Sequence, residues 1–112
     1  LQINPQNHLP NLAELVTLDD AAFRTRFSGS PIKRTGRDRF VRNVLIAIGN
    51  SGNKAFIPAV LNRLDDSSPL VRAAAVWALG RLDVSSHAAH KKFDDDPDVQ
   101  AEWDHADHAL PD

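Results

Sequence analysis

The stretch "DDSSPLVRAAAVWALG", residues 65–80, decides the fold. It opens with an acidic turn. Ser68 then stands where a starting helix needs a side-chain oxygen for its free N–H groups, and Pro69 follows at the first helical position, where a missing N–H costs little. Leu70, Val71, Ala74, Ala75, Ala78 and Leu79 recur at three- and four-residue spacing and form a broad apolar stripe on a helix predicted over 69–82. Upstream, "FVRNVLIAIGN" (40–50) lies over "LVRAAAVWALG" (70–80) at an offset of 30. Val41 falls on Val71 and Arg42 on Arg72, while Val44 and Ile48 fall on Ala74 and Ala78, so the apolar face is kept as its residues shrink. The closing glycine slips by one, Gly49 answering to Gly80 at an offset of 31. Downstream, "DVQAEWDHADHAL" (98–110) is a degenerate third copy, with Val99 lying 28 residues beyond Val71.

A helix pair repeated at this period leaves an apolar face that only its neighbour can cover, which is the logic of an α-solenoid. The predicted class is all-α: a short right-handed α-solenoid of HEAT-like helix pairs. The period is shorter than the roughly 40–47 residues of standard HEAT repeats. Helices are predicted near 11–16, 19–27, 37–49, 54–64, 69–82 and 97–109, with a short one over 85–93. Thr17 or Asp19 is the expected cap of the second. Gly49-Asn50 and Gly52 are expected to end the helix over 37–49, and Pro58 to lie in the first turn of the next. "SGSPIKRTG" (28–36) reads as a loop, broken by Gly29, Pro31 and Gly36. Residues 1–112 read as one domain, with 83–112 a degenerate last repeat or tail.

A chain of 112 residues, 42% apolar, supports one modest core. It contains no cysteine, so these residues form no disulfide, thiolate zinc site, cysteine-ligated cluster or cysteine nucleophile. No run approaches the length of a membrane span. "LQINPQNHLP" (1–10) lacks the basic start and apolar core of a signal peptide, and there is no initiator methionine. The chain is therefore expected to begin inside a longer protein.

The net charge of -2 hides a strong asymmetry. Residues 33–63 hold Lys33, Arg34, Arg37, Arg39, Arg42, Lys54 and Arg63 against Asp38 alone, a net +6, while residues 64–112 hold four basic and eleven acidic groups, a net -7. The basic segment can attract phosphate within a weakly acidic chain. Lys33, Arg34, Arg37 and Arg39 are the candidate nucleic-acid-binding residues. Arg37 and Arg39 open a helix, where cations oppose the helix dipole unless an anion completes the site.

The segment "FRTRFSGSPIKRTGRDRFVRNVLIAIGNSG" (23–52) resembles the part of epoxyqueuosine reductases that follows their iron–sulfur domain. The shared features are Phe23-Arg24 with Phe27, Ser30-Pro31 with Arg34, and Arg42-Asn43 through Gly49-Asn50. The resemblance covers roughly residues 9–82 and is specific in its first half. It implies a HEAT-like module of a cobalamin-dependent reductase with two 4Fe-4S clusters, which removes the epoxide oxygen of epoxyqueuosine in the anticodon loop of tRNA. In the family the catalytic and iron–sulfur domains lie upstream, and residues 1–18 are expected to lead in from them. The resemblance implies a cytoplasmic setting, tRNA as partner, no cofactor held by these residues and a role in holding the RNA.

Other readings compete. The basic segment can equally be a solvated loop or a contact with the upstream domains. The whole chain can be a HEAT-type protein–protein scaffold with no RNA role. Arg42 and Arg72 are expected to pair with an acidic turn or a carbonyl, Asn43 to be a buried amide and Asn50 a helix end. His87 with His90, and His105 with His108, have i, i+3 spacing that can bind metal, but polar helix faces carry such pairs by chance. Trp77 and Trp103 are read as core. No catalytic triad or glycine-rich phosphate loop is recognisable.

Overall fold

The computed structural model describes residues 12–108, with side chains through residue 105. Among the described residues there are helices and no strand. After a helical turn over 12–15 come α1 (Asp20–Arg26), a 3-10 helix (Pro31–Thr35), α2 (Arg37–Ser51), a 3-10 turn (Lys54–Phe56), α3 (Ile57–Leu61), α4 (Pro69–Leu82), α5 (Val84–His90) and α6 (Pro97–His108). The helix ends placed at residues 11 and 109 lie outside the described residues.

Local chemistry sets the helix starts. Asp19 caps α1, accepting from the N–H of Ala22 at 2.7 Å. Ser68 caps α4, accepting from Val71 N–H at 3.4 Å. Asp83 caps α5, and Asp96 opens α6 by accepting from the N–H groups of Asp98 and Val99. Pro58, Pro69 and Pro97 all sit in first turns, where no intrahelical bond is lost.

The long helices α2, α4 and α6 lie side by side with α4 in the middle, and α3 and α5 pack against α4 as a second row. Val41, Leu45 and Ile48 of α2, Val71, Ala75 and Leu79 of α4, and Val99 and Trp103 of α6 share one core. The alanines of α4 let its neighbours approach. Gly49 carries this furthest: a Cβ there would lie 2.6 Å from the Trp77 ring and 3.2 Å from Ala78 Cα. Gly49 therefore does not end α2 as expected; it lies inside the helix as a contact point. The stop is Gly52, with φ +67°.

The structure corrects four further expectations. Residues 31–35 form a 3-10 helix rather than a loop, because Pro31 fixes the backbone and Ser30 caps it through Ile32 N–H at 3.2 Å. The helix expected over 54–64 is broken into a 3-10 turn and a short α-helix, since Pro58 offers no N–H to the turn before it. Leu70 is exposed, lying off the buried stripe of α4. Asn43 is exposed too, on the solvent side of α2.

Two ion pairs tie successive repeats. Arg37 of α2 grips Asp66 with two bonds, Nη1 to Oδ2 at 2.9 Å and Nη2 to Oδ1 at 2.7 Å, and its Nε donates to the carbonyl of Leu18 at 2.8 Å. Arg72 of α4 also grips Asp94 with two bonds, from Nε at 2.9 Å and Nη2 at 3.2 Å, and its Nη1 donates to the carbonyl of Asp66 at 2.9 Å. The 65–68 turn is thus held by its side chain from one repeat and by its backbone from the next.

Candidate functional site

The four basic residues singled out in the sequence do not form one surface. Arg37 is buried, with 8% of its surface exposed, and its guanidinium is committed to Asp66, Leu18 and Asp38. The anion that its place at a helix start calls for is supplied by the chain itself. Arg37 touches the hollow that Arg39 lines, but its charge is already met by these internal partners. Burial pushes the Asp66 carboxyl up, but the hydrogen bonds from Arg37 and from Ser68 N–H outweigh it and hold the pKa below the ordinary value. Bonding to Asp66 raises Arg37 in turn. Arg63 also reaches Asp66, at 3.4 Å, so two charges of the basic segment are answered internally.

Lys33, Arg34 and Arg39 behave differently. All three are exposed, and none makes an ion pair with another described residue. Lys33 and Arg34 line an open hollow of about 560 Å³ with Gly29, Ser30 and Pro31. The 3-10 helix presents them there, and Gly36, at φ +83°, turns the chain into α2. Arg39 lines a second hollow of about 370 Å³ at the start of α2, with Thr35, Asp38 and Leu70. Beneath α1 and the start of α2, Phe23, Phe27 and Phe40 pack with ring centroids 4.9–5.3 Å apart and fix the base from which these side chains project.

Arg42 departs from its expected pairing. Arg72 binds an acidic turn as predicted, but Arg42 is exposed and makes only a long 3.5 Å bond to Asn43 Oδ1. It lines a third hollow of about 360 Å³ with Ile46, Leu70, Ala73, Trp77 and Glu102. Trp103 is core, as read from the sequence, but Trp77 is only half-buried and faces this hollow. Arg81 lies over the Trp77 ring, 5.7 Å from its centroid. Burial, with help from Asp98 and against His105, holds the Glu102 pKa above its ordinary value. The sequence placed Arg42 and Trp77 inward, because the offset alignment with Arg72 and the apolar setting of α4 both pointed that way. A signal was available: Trp77 lies three residues from Ala74 but seven from Leu70, which is itself at the edge of the stripe.

Among the described residues no three His, Cys, Asp or Glu side chains are grouped so that they could hold a metal ion. His87 is buried against Trp103, with ring centroids 4.8 Å apart, and His90 Nδ1 is bonded to the Ser86 carbonyl. The His108 side chain lies outside the described residues. No described helix is long and apolar enough to cross a membrane.

Residues 34–102 match the family of HEAT repeats, and the chain belongs to that family. Its similarities are narrower than the fold. It is 39% identical over 71 residues to an epoxyqueuosine reductase of Xanthomonas campestris, covering 62% of this chain and 20% of that protein. It is 36% identical over 80 residues to an epoxyqueuosine reductase of Pseudomonas aeruginosa, covering 69% and 22%. The solved structure of epoxyqueuosine reductase from Streptococcus thermophilus superposes with a TM-score of 0.75 at 25% identity, over 95% of this chain and 30% of that one. The chain thus corresponds to one module of these enzymes and spans about a fifth of the length of the curated relatives it matches.

Proposed function

We propose that the chain is the C-terminal, non-catalytic module of an epoxyqueuosine reductase-type oxidoreductase, and that it holds tRNA for the reduction of epoxyqueuosine to queuosine. The observation that carries the reading is the exposure of Lys33, Arg34 and Arg39 on the one basic segment of an acidic chain, inside the region that resembles these enzymes. Side chains standing free of internal ion pairs keep their charge available to phosphate, whereas a paired arginine does not. The reading places the module in the cytoplasm, beside upstream catalytic and iron–sulfur domains. Cobalamin and the two 4Fe-4S clusters would belong to those domains. No residue here fits a cluster, because thiolate ligands are absent, and this module contributes no step of the reduction.

The test uses the full-length protein and tRNA carrying epoxyqueuosine, with queuosine formation followed by mass spectrometry under reducing conditions. Changing Lys33, Arg34 and Arg39 together to alanine should raise KM for tRNA with little change in kcat. Absence of queuosine formation by the wild type would refute the enzymatic parentage. An unchanged KM would refute the RNA-holding role and favour a protein–protein scaffold.

A further inference from the structure

The hollow between α2, α4 and α6 has features that a structural surface does not need. Trp77 is a large ring left only partly buried on a helix whose neighbouring positions, Ala73 and Ala74, are small. Gly49 on α2 gives the ring its seat by having no side chain. Arg42 of α2 and Glu102 of α6 also line the hollow. Leu70 lines both this hollow and the one that holds Arg39.

We propose that this hollow is a nucleobase pocket, in which Trp77 stacks a single unpaired base, Arg42 binds the adjoining phosphate and Glu102 accepts from an amino group on the base edge. The proposal rests on the RNA reading and deepens it. Each part has a physical warrant. Aromatic rings are stacking platforms for any unpaired base; Arg81 lies over the Trp77 ring, so an entering base takes the place of that guanidinium or stacks beyond it. Carboxylates accept from exocyclic amino groups, which gives preference among bases rather than raw affinity. A volume of about 360 Å³ is at the small end of ligand pockets and suits one nucleotide. A docking peptide helix would need apolar holes at successive turns, whereas here two larger apolar side chains, Ile46 and Leu70, and two alanines accompany the tryptophan, with charged groups at Arg42 and Glu102.

The experiment compares two end-labelled RNAs of equal phosphate count, a stem-loop with unpaired bases and a full duplex. Binding to the full-length protein is followed by fluorescence anisotropy at several salt concentrations. Trp77→Leu, which keeps bulk but removes the aromatic plane, should weaken the stem-loop roughly 10-fold and leave the duplex unchanged. Its salt slope should stay the same, because no phosphate contact is lost. Trp77→Phe should retain most of the affinity, which guards against a mere folding defect. Equal weakening of both RNAs by Trp77→Leu, or no weakening of the stem-loop, would overturn the pocket. So would faster proteolytic release of the module with stem-loop affinity intact, since the hollow would then be a contact with an upstream domain. The two readings separate cleanly. If the joint Lys33, Arg34 and Arg39 variant weakens both RNAs while Trp77→Leu weakens neither, only the base pocket fails. If that joint variant weakens neither RNA, the RNA interface itself fails.

Discussion

Asp66 and Asp94 hold the same place in successive turns, each three residues before a proline that opens a long helix. Each accepts from the N–H two residues on, and each is gripped by an arginine of the repeat before it. The two junctions differ in depth. At the first, the side chains of Arg37 and Asp66 are 9% and 5% exposed; at the second, Arg72 and Asp94 are 20% and 10% exposed. The first also carries a third partner, Arg63, and a carbonyl from residue 18. A charge can be attractive and still be unavailable. Arg37 belongs to the most basic stretch of the chain, yet its function is to join repeats, and the outward charge is left to its neighbours.

Breaking the deeper junction should have the largest effect. Arg37→Ala leaves Asp66 buried with only the Ser68 N–H and the longer contact to Arg63, and should cost about 3–5 kcal/mol in urea denaturation. Asp94→Ala, at the shallower junction, should cost about 1–3 kcal/mol. Equal costs would mean that burial does not distinguish the two pairs.

Gly49→Ala tests the close approach that seats Trp77. Overpacking should cost about 1–3 kcal/mol, reduced by up to about 1 kcal/mol from the better helix propensity of alanine. A gain in stability would show that the ring yields freely.

Acid sharpens the same comparison. The pKa values of Asp66 and Asp94 are both held below the ordinary value, so the unfolded chain takes up protons first as pH falls. Their stabilisation is complete above the unfolded value near 4 and is lost as pH falls through and below it. Thermal melts from pH 7 to pH 2 should show this loss, and Asp66→Asn should flatten that acid limb. An unchanged limb would move the acid sensitivity elsewhere.

The smallest stability effect is expected from the exposed set. Lys33→Ala, Arg34→Ala and Arg39→Ala should each stay within about 0.5 kcal/mol of the wild type by the same urea measurement.

The sequence carried the parts of this structure that depend on near neighbours. Ser68-Pro69 marked a helix start because a cap and a proline act within one turn, and the offset of Val41, Val71 and Val99 exposed the repeat. The parts it hid depend on distance along the chain. Arg37 and Arg39 are alike in the sequence, and only the return of Asp66, 29 residues later, separates a buried clasp from an exposed cation. Gly49 reads as a stop until Trp77 of the next repeat is laid across it. Trp77 reads as core because an apolar stripe does not reveal which edge a neighbouring helix leaves uncovered.

The central claim is that the basic segment holds both arginines spent on the fold, Arg37 and Arg63, and an exposed set, Lys33, Arg34 and Arg39, that we propose meets RNA. Its most direct test is the salt dependence of tRNA binding to the full-length protein, for the wild type, Arg37→Gln and the joint Lys33, Arg34 and Arg39 alanine variant. The titrations are made at a temperature where all three are folded. The slope of log K against log salt should flatten by about 2–3 units in the joint variant and stay at the wild-type value in Arg37→Gln. An unaltered slope in the joint variant, or an equal flattening in folded Arg37→Gln, would contradict the account.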